Sequence, residues 1–282
     1  MPIREAMTTP ELPARQWRDS RPRIARPRTF HLPGRSAPPA ASVARVPSGM
    51  RVYALGDIHG RADLARARIS QIEEDLRGAP PVDYRIIFLG DYVDRGPQSR
   101  QVIDLLIEAG GRHGDKLVCL KGNHEELFLE ALADVNSTPA GDWVLNGGMQ
   151  TLESYFGDEW SALLPGRGSA EHLFPQDHVR FLRGLKLSHR VGDYLFVHAG
   201  VDPALPWQEQ ADDPSILLWI RWKFLEWPDP LPFVVVHGHT PNSVVDMRVN
   251  RLNIDTGAYR SGNLSCVRME DDEFILLGDA HE

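Results

Sequence analysis

Five short glycine-bearing stretches concentrate side chains that could bind metal. They read GDIHG (56–60), GDYVDRG (90–96), GNHEE (122–126), HAG (198–200) and HGHT (237–240). Together they offer Asp57, His59, Asp91, Asn123, His198, His237 and His239. This is a set of oxygen and imidazole donors without a thiolate, suited to two hard or borderline divalent cations. Paired cations need a bridging anion to offset their repulsion, and Asp91, the middle member in sequence, is the natural candidate. Solvent shared between such cations has its pKa drawn down to about 7, which would give hydroxide at neutral pH without a base residue. Arg95 and Arg221 add guanidinium forks that can clamp phosphate oxygens. Any one of these stretches alone reads as an ordinary turn. Five of them in one chain point to a shared site.

Each stretch follows an apolar run. The runs Arg51–Leu55, Tyr84–Leu89, Lys116–Lys121, Tyr194–Val197 and Phe233–Val236 are short and nearly continuous, as in strands covered on both faces. Between the early runs the spacing predicts helices over 62–76 and 98–109, with Leu64, Ala65, Ile69, Ile72 and Leu76 on one face of the first. Strands alternating with helices indicate a layered α/β domain. In such sheets the carboxyl ends of strands open on a common crevice, so residues distant in sequence can meet there. The later runs 244–247, 252–254, 263–267 and 273–277 read as hairpin strands, expected in a second sheet.

Composition narrows the class. The chain has 282 residues, 42% hydrophobic and 25% charged, with net charge −8. Those values exclude fibrous and wholly disordered proteins, and the charge argues against a general nucleic-acid coat. No apolar run is long enough to span a bilayer. Residues 1–48 differ from the rest: nine Arg, three acids and nine of the 22 prolines give +6, so the remainder carries −14. We expect a flexible basic arm over 1–48 and a single folded domain over 49–282. Cys119 and Cys266 lie in apolar runs and read as buried free thiols, which favours a reducing, cytoplasmic setting.

The order GDIHG, GDYVDRG, GNHE, HAG, GHT resembles the calcineurin-like metallophosphoesterase superfamily and, more narrowly, the bacterial and bacteriophage form of the phosphoprotein phosphatase family. The resemblance spans Met50 to Leu277. It implies an α/β fold of two central mixed β-sheets flanked by helices, with the metal site at the carboxyl ends of strands. It also implies that Asp57 and His59 bind a first metal, that Asp91 bridges, and that Asn123, His198 and His239 complete a second. The cofactor expected is a pair of divalent ions, manganese first, with iron or zinc also accommodated. His124 matches the family's general acid and Asp94 the carboxylate that orients it. Arg95 and Arg221 match the phosphate-binding arginines. His237 falls two residues before the ligand position and is expected at a strand end. Tyr259, in DTGAY, falls where relatives carry a tyrosine facing the site. WVLNGG (143–148) resembles an accessory stretch that packs beside it. GNHEEL and DTGAY depart from the eukaryotic GNHE-Ser-Arg and Ser-Ala-Pro-Asn-Tyr, so the regulation of those members does not transfer.

The resemblance therefore implies a metal-dependent phosphomonoesterase, a serine/threonine protein phosphatase acting on phosphorylated proteins or peptides, with no nucleic-acid or membrane partner and no obligate partner readable. The alternative is a symmetrical dinucleoside tetraphosphatase, whose second motif usually has a small residue where Asp94 stands. A more remote alternative is a non-catalytic phosphate-binding module, which predicts a missing ligand. Trp219 and Trp222, three residues apart, are expected on one helix face within a core.

Overall fold

The apolar runs become strands because each can be covered twice, by helices on one side and by a second sheet on the other. The computed structural model describes residues 28–31, 44–163 and 166–278. The strands of the first sheet are β1 (Arg28–His31), β2 (Met50–Leu55), β3 (Asp83–Phe88), β4 (Leu117–Cys119), β10 (Cys266–Glu270) and β11 (Glu273–Leu276), in the order β1-β11-β10-β2-β3-β4. The second sheet contains β5 (Ser188–Val191), β6 (Tyr194–Val197), β7 (Val234–His237), β8 (Asp246–Met247) and β9 (Arg251–Asn253), in the order β5-β6-β7-β9-β8. β2, β3 and β4 are parallel, as are β6, β7 and β9, and the other pairings are antiparallel.

Side chains alternate across these strands as the pleat requires. Tyr53, Leu55, Ile86 and Phe88 face a helical layer, while Val52, Ala54, Ile87 and Leu89 face Tyr194, Phe196, Val234 and Val236 of the other sheet. The helical layer includes α1 (Ala62–Gly78), α2 (Ser99–His113) and α3 (Asn123–Ala133), whose buried residues include Ile69 and Ile72, Val102 and Leu106, and Phe128. α4 (Thr138–Trp143) and α5 (Met149–Phe156) continue that layer. Leu195, Val197 and Val235 meet Leu217 and Phe224 on the far side of the second sheet.

The sequence placed the last hairpin in the second sheet. It lies in the first, because β10 pairs along its whole length with the open edge of β2, Cys266 opposite Leu55 through Glu270 opposite Arg51. The β8–β9 hairpin does join the second sheet. Within the segment expected as a basic arm, Arg28–His31 runs antiparallel to β11, and Val46 is buried with its N–H on Asp271 O. Residues 1–27 and 32–43 of that segment lie outside the described residues.

Candidate active site

All five motif loops leave the carboxyl ends of parallel strands, so they share one edge of the stacked sheets. The loop after β3 is held from behind by Glu125, the third residue of α3. Its Oε2 accepts the N–H groups of Asp91 and Gly122 at 2.8 Å each, and Oε1 accepts those of Tyr92 and Val93 at 2.7 and 3.3 Å. Burial and the nearby Asp91 charge push the Glu125 carboxyl up to about 7. Gly122 must lack a side chain, since a Cβ there would run into Asp91.

The site stores backbone strain. Among the described residues, six other than glycine have positive φ, and five of them are His59, Asp91, Asp94, Arg95 and His239. Such conformations cost roughly 1–3 kcal/mol each and persist where the surroundings impose them. All of the ligand candidates are buried: Asp57, His59, Asp91, Asn123, His198 and His239.

The donor atoms converge in two groups that share one carboxylate. Those of His59, Asp91 and His124 lie within 4.8 Å of one another, and so do those of Asp91, His198 and His239. The Asn123 Oδ1 atom stands 2.9 Å from His198 Nε2 and 2.8 Å from His239 Nδ1. His59 Nδ1 faces Val93 O and His198 Nδ1 faces Leu89 O, so each ring is oriented through its outer nitrogen and turns Nε2 inward. Asp57 Oδ2 accepts the N–H of His239 at 3.0 Å.

These residues fit a pair of divalent cations. Asp57 Oδ1 is buried with no hydrogen-bond partner among the described residues. Burial, Asp255 and Asp91 raise the Asp57 carboxyl well above its usual range. Burial alone would also raise Asp91, but His198, His124 and His59 hold it well below that range. Burial pushes His239 down to about 2 and lowers His198 as well, keeping both imidazoles neutral and able to ligate. An orphaned carboxylate oxygen beside neutral imidazoles is what a cation would satisfy.

The two arginines reach the histidines of the site from separate stretches of the chain. Arg95 donates to His59 Nε2 at 2.8 Å and to His124 Nε2 at 2.9 Å, while Arg221 Nε donates to His239 Nε2 at 3.0 Å. Tyr259 presents its ring edge-on to His59, centroids 5.5 Å apart, and lies 5.3 Å from the Arg95 guanidinium carbon. His124 Nδ1 pairs with Asp94 Oδ2 at 2.6 Å, both residues buried.

His237 stays outside both donor groups. Its ring meets Phe224 edge-on at 5.1 Å, and burial lowers it to about 3. Cys119 and Cys266 are free thiols pushed up to about 12 by burial. Trp219 and Trp222 depart from the expected single helix face. The chain breaks at Arg221 before the helical turn Trp222–Leu225, and the two indoles are 39% and 67% exposed.

Several residues of the site carried no role in the sequence reading. Glu125 lies within GNHEE, a pattern that does not announce the backbone anchoring it performs. Asp94 is fixed by Trp143 Nε1 at 2.9 Å and Thr151 Oγ1 at 2.6 Å, and its own N–H donates to Ser99 and Thr151. WVLNGG hinted at this, since it lies beside the site. Gly147 within it packs against Arg95 at φ 108°, with its carbonyl on the Arg95 N–H, and a Cβ there would lie 2.9 Å from the Arg95 nitrogen. Asp255 is buried in DTGAY, accepts the Gly257 N–H, and is raised mainly by burial.

Residues 50–282 match the family model described as calcineurin-like phosphoesterase. The chain belongs to that family. As a calcineurin-like phosphoesterase it is a hydrolase of phosphoric esters, and its buried His and Asp groups suit a divalent-metal site. It is 27% identical over 230 residues to serine/threonine-protein phosphatase 1 of Salmonella typhimurium, covering 78% of this chain and 92% of that one. It is 30% identical over 155 residues to a symmetrical bis(5'-nucleosyl)-tetraphosphatase of Methylococcus capsulatus, covering 55% and 45%. Among solved structures, a cold-active protein tyrosine phosphatase superposes with TM-score 0.57 at 17% identity, over 86% of this phosphoesterase and 82% of its own chain. At that identity the likeness concerns the fold.

Proposed function

We propose that this phosphoesterase is a phosphomonoesterase acting on phosphorylated serine and threonine side chains. The observation that carries the reading is the buried His124–Asp94 pair at 2.6 Å. A phosphomonoester of an aliphatic alcohol has a poor leaving group, and a positioned imidazole can protonate it. Two divalent ions, when bound among Asp57, His59, Asp91, Asn123, His198 and His239, would supply Lewis acidity toward phosphoryl oxygens and a solvent nucleophile near neutral pH. Arg95 and Arg221 would exchange their imidazole partners for phosphoryl oxygens, binding and orienting the group. The P–O bond to the alcohol breaks as water adds to phosphorus, and the departing oxygen takes a proton from His124 Nε2. Asp94 keeps the Nδ1–H and stabilises the imidazolium beforehand. Manganese is our first choice of metal, since the donors are oxygen and imidazole without thiolate. Free thiols, with no helix among the described residues long and apolar enough to cross a membrane, support a cytoplasmic setting.

The relative from Methylococcus capsulatus favours a second reading, hydrolysis of a symmetrical dinucleoside tetraphosphate. Turnover of phosphoserine and phosphothreonine peptides should be compared with that of diadenosine tetraphosphate, in manganese, iron and zinc separately. We expect the peptides to be preferred; a strong preference for the dinucleotide would replace the first reading with the second.

A further inference from the structure

Arg221 reaches the site from a stretch with no regular structure of its own. It lies between the helical turns Pro214–Leu217 and Trp222–Leu225, at φ −131° and ψ −98°, outside the common backbone regions. Behind it, Lys223 pairs with Asp202 at 2.6 Å and the Leu217 carbonyl accepts the Ala199 N–H, so the stretch is tied to the loop after His198. Toward α3 the connection is different. Trp219 donates its indole N–H to Glu126 Oε2 at 2.7 Å, and its ring meets His239 edge-on with centroids 6.3 Å apart. Glu126 stands two residues after His124 on α3.

We infer that Glu126 is a positioning residue for phosphate binding: by accepting the Trp219 indole N–H, it fixes the stretch carrying Arg221 beside His239. An indole that is 39% exposed has several staggered rotamers open to it unless a polar partner selects one. The carboxylate of Glu126 makes that selection. It also holds the ring against His239, whose Nε2 receives Arg221. Without the acceptor the ring is released, the stretch between the two helical turns gains freedom, and Arg221 must be ordered each time phosphate binds. The effect is therefore on affinity for the phosphoryl group, with proton transfer at His124 left intact.

The inference rests on the functional reading above, and the experiment separates the two. Steady-state hydrolysis of p-nitrophenyl phosphate, inhibition by inorganic phosphate, metal content and thermal melting are measured for wild type, E126A, E126Q, W219F and E126A/W219F. We expect E126A and W219F to raise KM and the phosphate inhibition constant together by about three- to tenfold, the scale of one lost hydrogen bond, with kcat within about twofold. E126Q, which keeps an acceptor oxygen, should stay near wild type, and the double variant should be no worse than either single one. Metal content should be equal throughout. The inference is overturned if E126A leaves both constants unchanged, if E126Q behaves like E126A, if the two losses add, or if metal is lost. A wild type that neither hydrolyses the aryl ester nor binds phosphate would overturn the functional reading, and this inference with it.

Discussion

His124 faces two partners that ask different things of its nitrogens. Nδ1 lies 2.6 Å from a buried Asp94, which is itself fixed by Trp143 and Thr151, while Nε2 meets the Arg95 guanidinium at 2.9 Å. The ring can pivot little, so once Arg95 turns from Nε2 to phosphoryl oxygens, Nε2 is the nitrogen free to carry a proton and give it up. Substitution of His124 by Asn should therefore cost roughly 10²–10⁴ in kcat toward a phosphoserine peptide. Toward p-nitrophenyl phosphate, whose oxygen leaves with little help, the loss should be at least tenfold smaller, on the order of 10–10². Equal losses on the two substrates would reject proton donation and leave His124 as a binding group. The pairing of His124 with Asp94 was legible through the family resemblance. The residues that fix Asp94 were not, because Trp143 and Thr151 lie 49 and 57 positions away and neither type announces a catalytic contact. Asp57 was legible as a ligand, but its unpartnered Oδ1 emerges only once the fold removes water from it.

The loop 90–96 has no regular structure, yet it must hold Asp91, Asp94 and Arg95 at positive φ. Glu125 does this from α3 by accepting four backbone N–H groups, including that of Gly122 at the start of its own helix. Replacing Glu125 by Gln turns one acceptor into a donor facing N–H groups. We expect a loss of about 2–3 kcal/mol in urea unfolding of the metal-free protein, with weakened metal retention on dialysis. Unchanged stability would show that the loop is held by its strained backbone and Asp91 alone. At this scale the strands and the early helices were readable, since apolar runs ending in glycine and a 3.6-residue period need only local information. Sheet membership was not. The last two runs look alike in either sheet, and their place is decided by the open edge of β2, which pairs with Cys266–Glu270. The two exposed tryptophans misled for a related reason: a spacing of three implies one helix face only if the helix continues, and it breaks at Arg221.

The molecule separates its chemistry from the sheet edge formed by β1. The site gathers at the ends of the parallel strands β2, β3, β4, β6 and β7, whereas β1 lies beyond β10 and β11 at the opposite edge of the first sheet. Its four residues pair with β11, Arg28 opposite Leu276 through His31 opposite Glu273. Deleting residues 1–43 removes that cover and exposes the N–H and C=O groups of a strand that reads EFIL. It also shifts the net charge from −8 to −13, since eight Arg and three acids are lost. The two changes oppose each other. An open apolar edge invites pairing between copies, while a more negative surface keeps copies apart over a Debye length of about 10 Å at 0.1 M salt. The truncated protein should therefore stay monomeric at low salt and associate as salt is raised, which sedimentation velocity at two ionic strengths can read. Its melting temperature should fall by about 2–4 °C for each kcal/mol of lost pairing. Turnover of an aryl phosphate should stay within about twofold, because β10 and β11 still stand between the cut edge and β2. A collapse of turnover with metal content unchanged would mean that the amino-terminal segment supports the site itself.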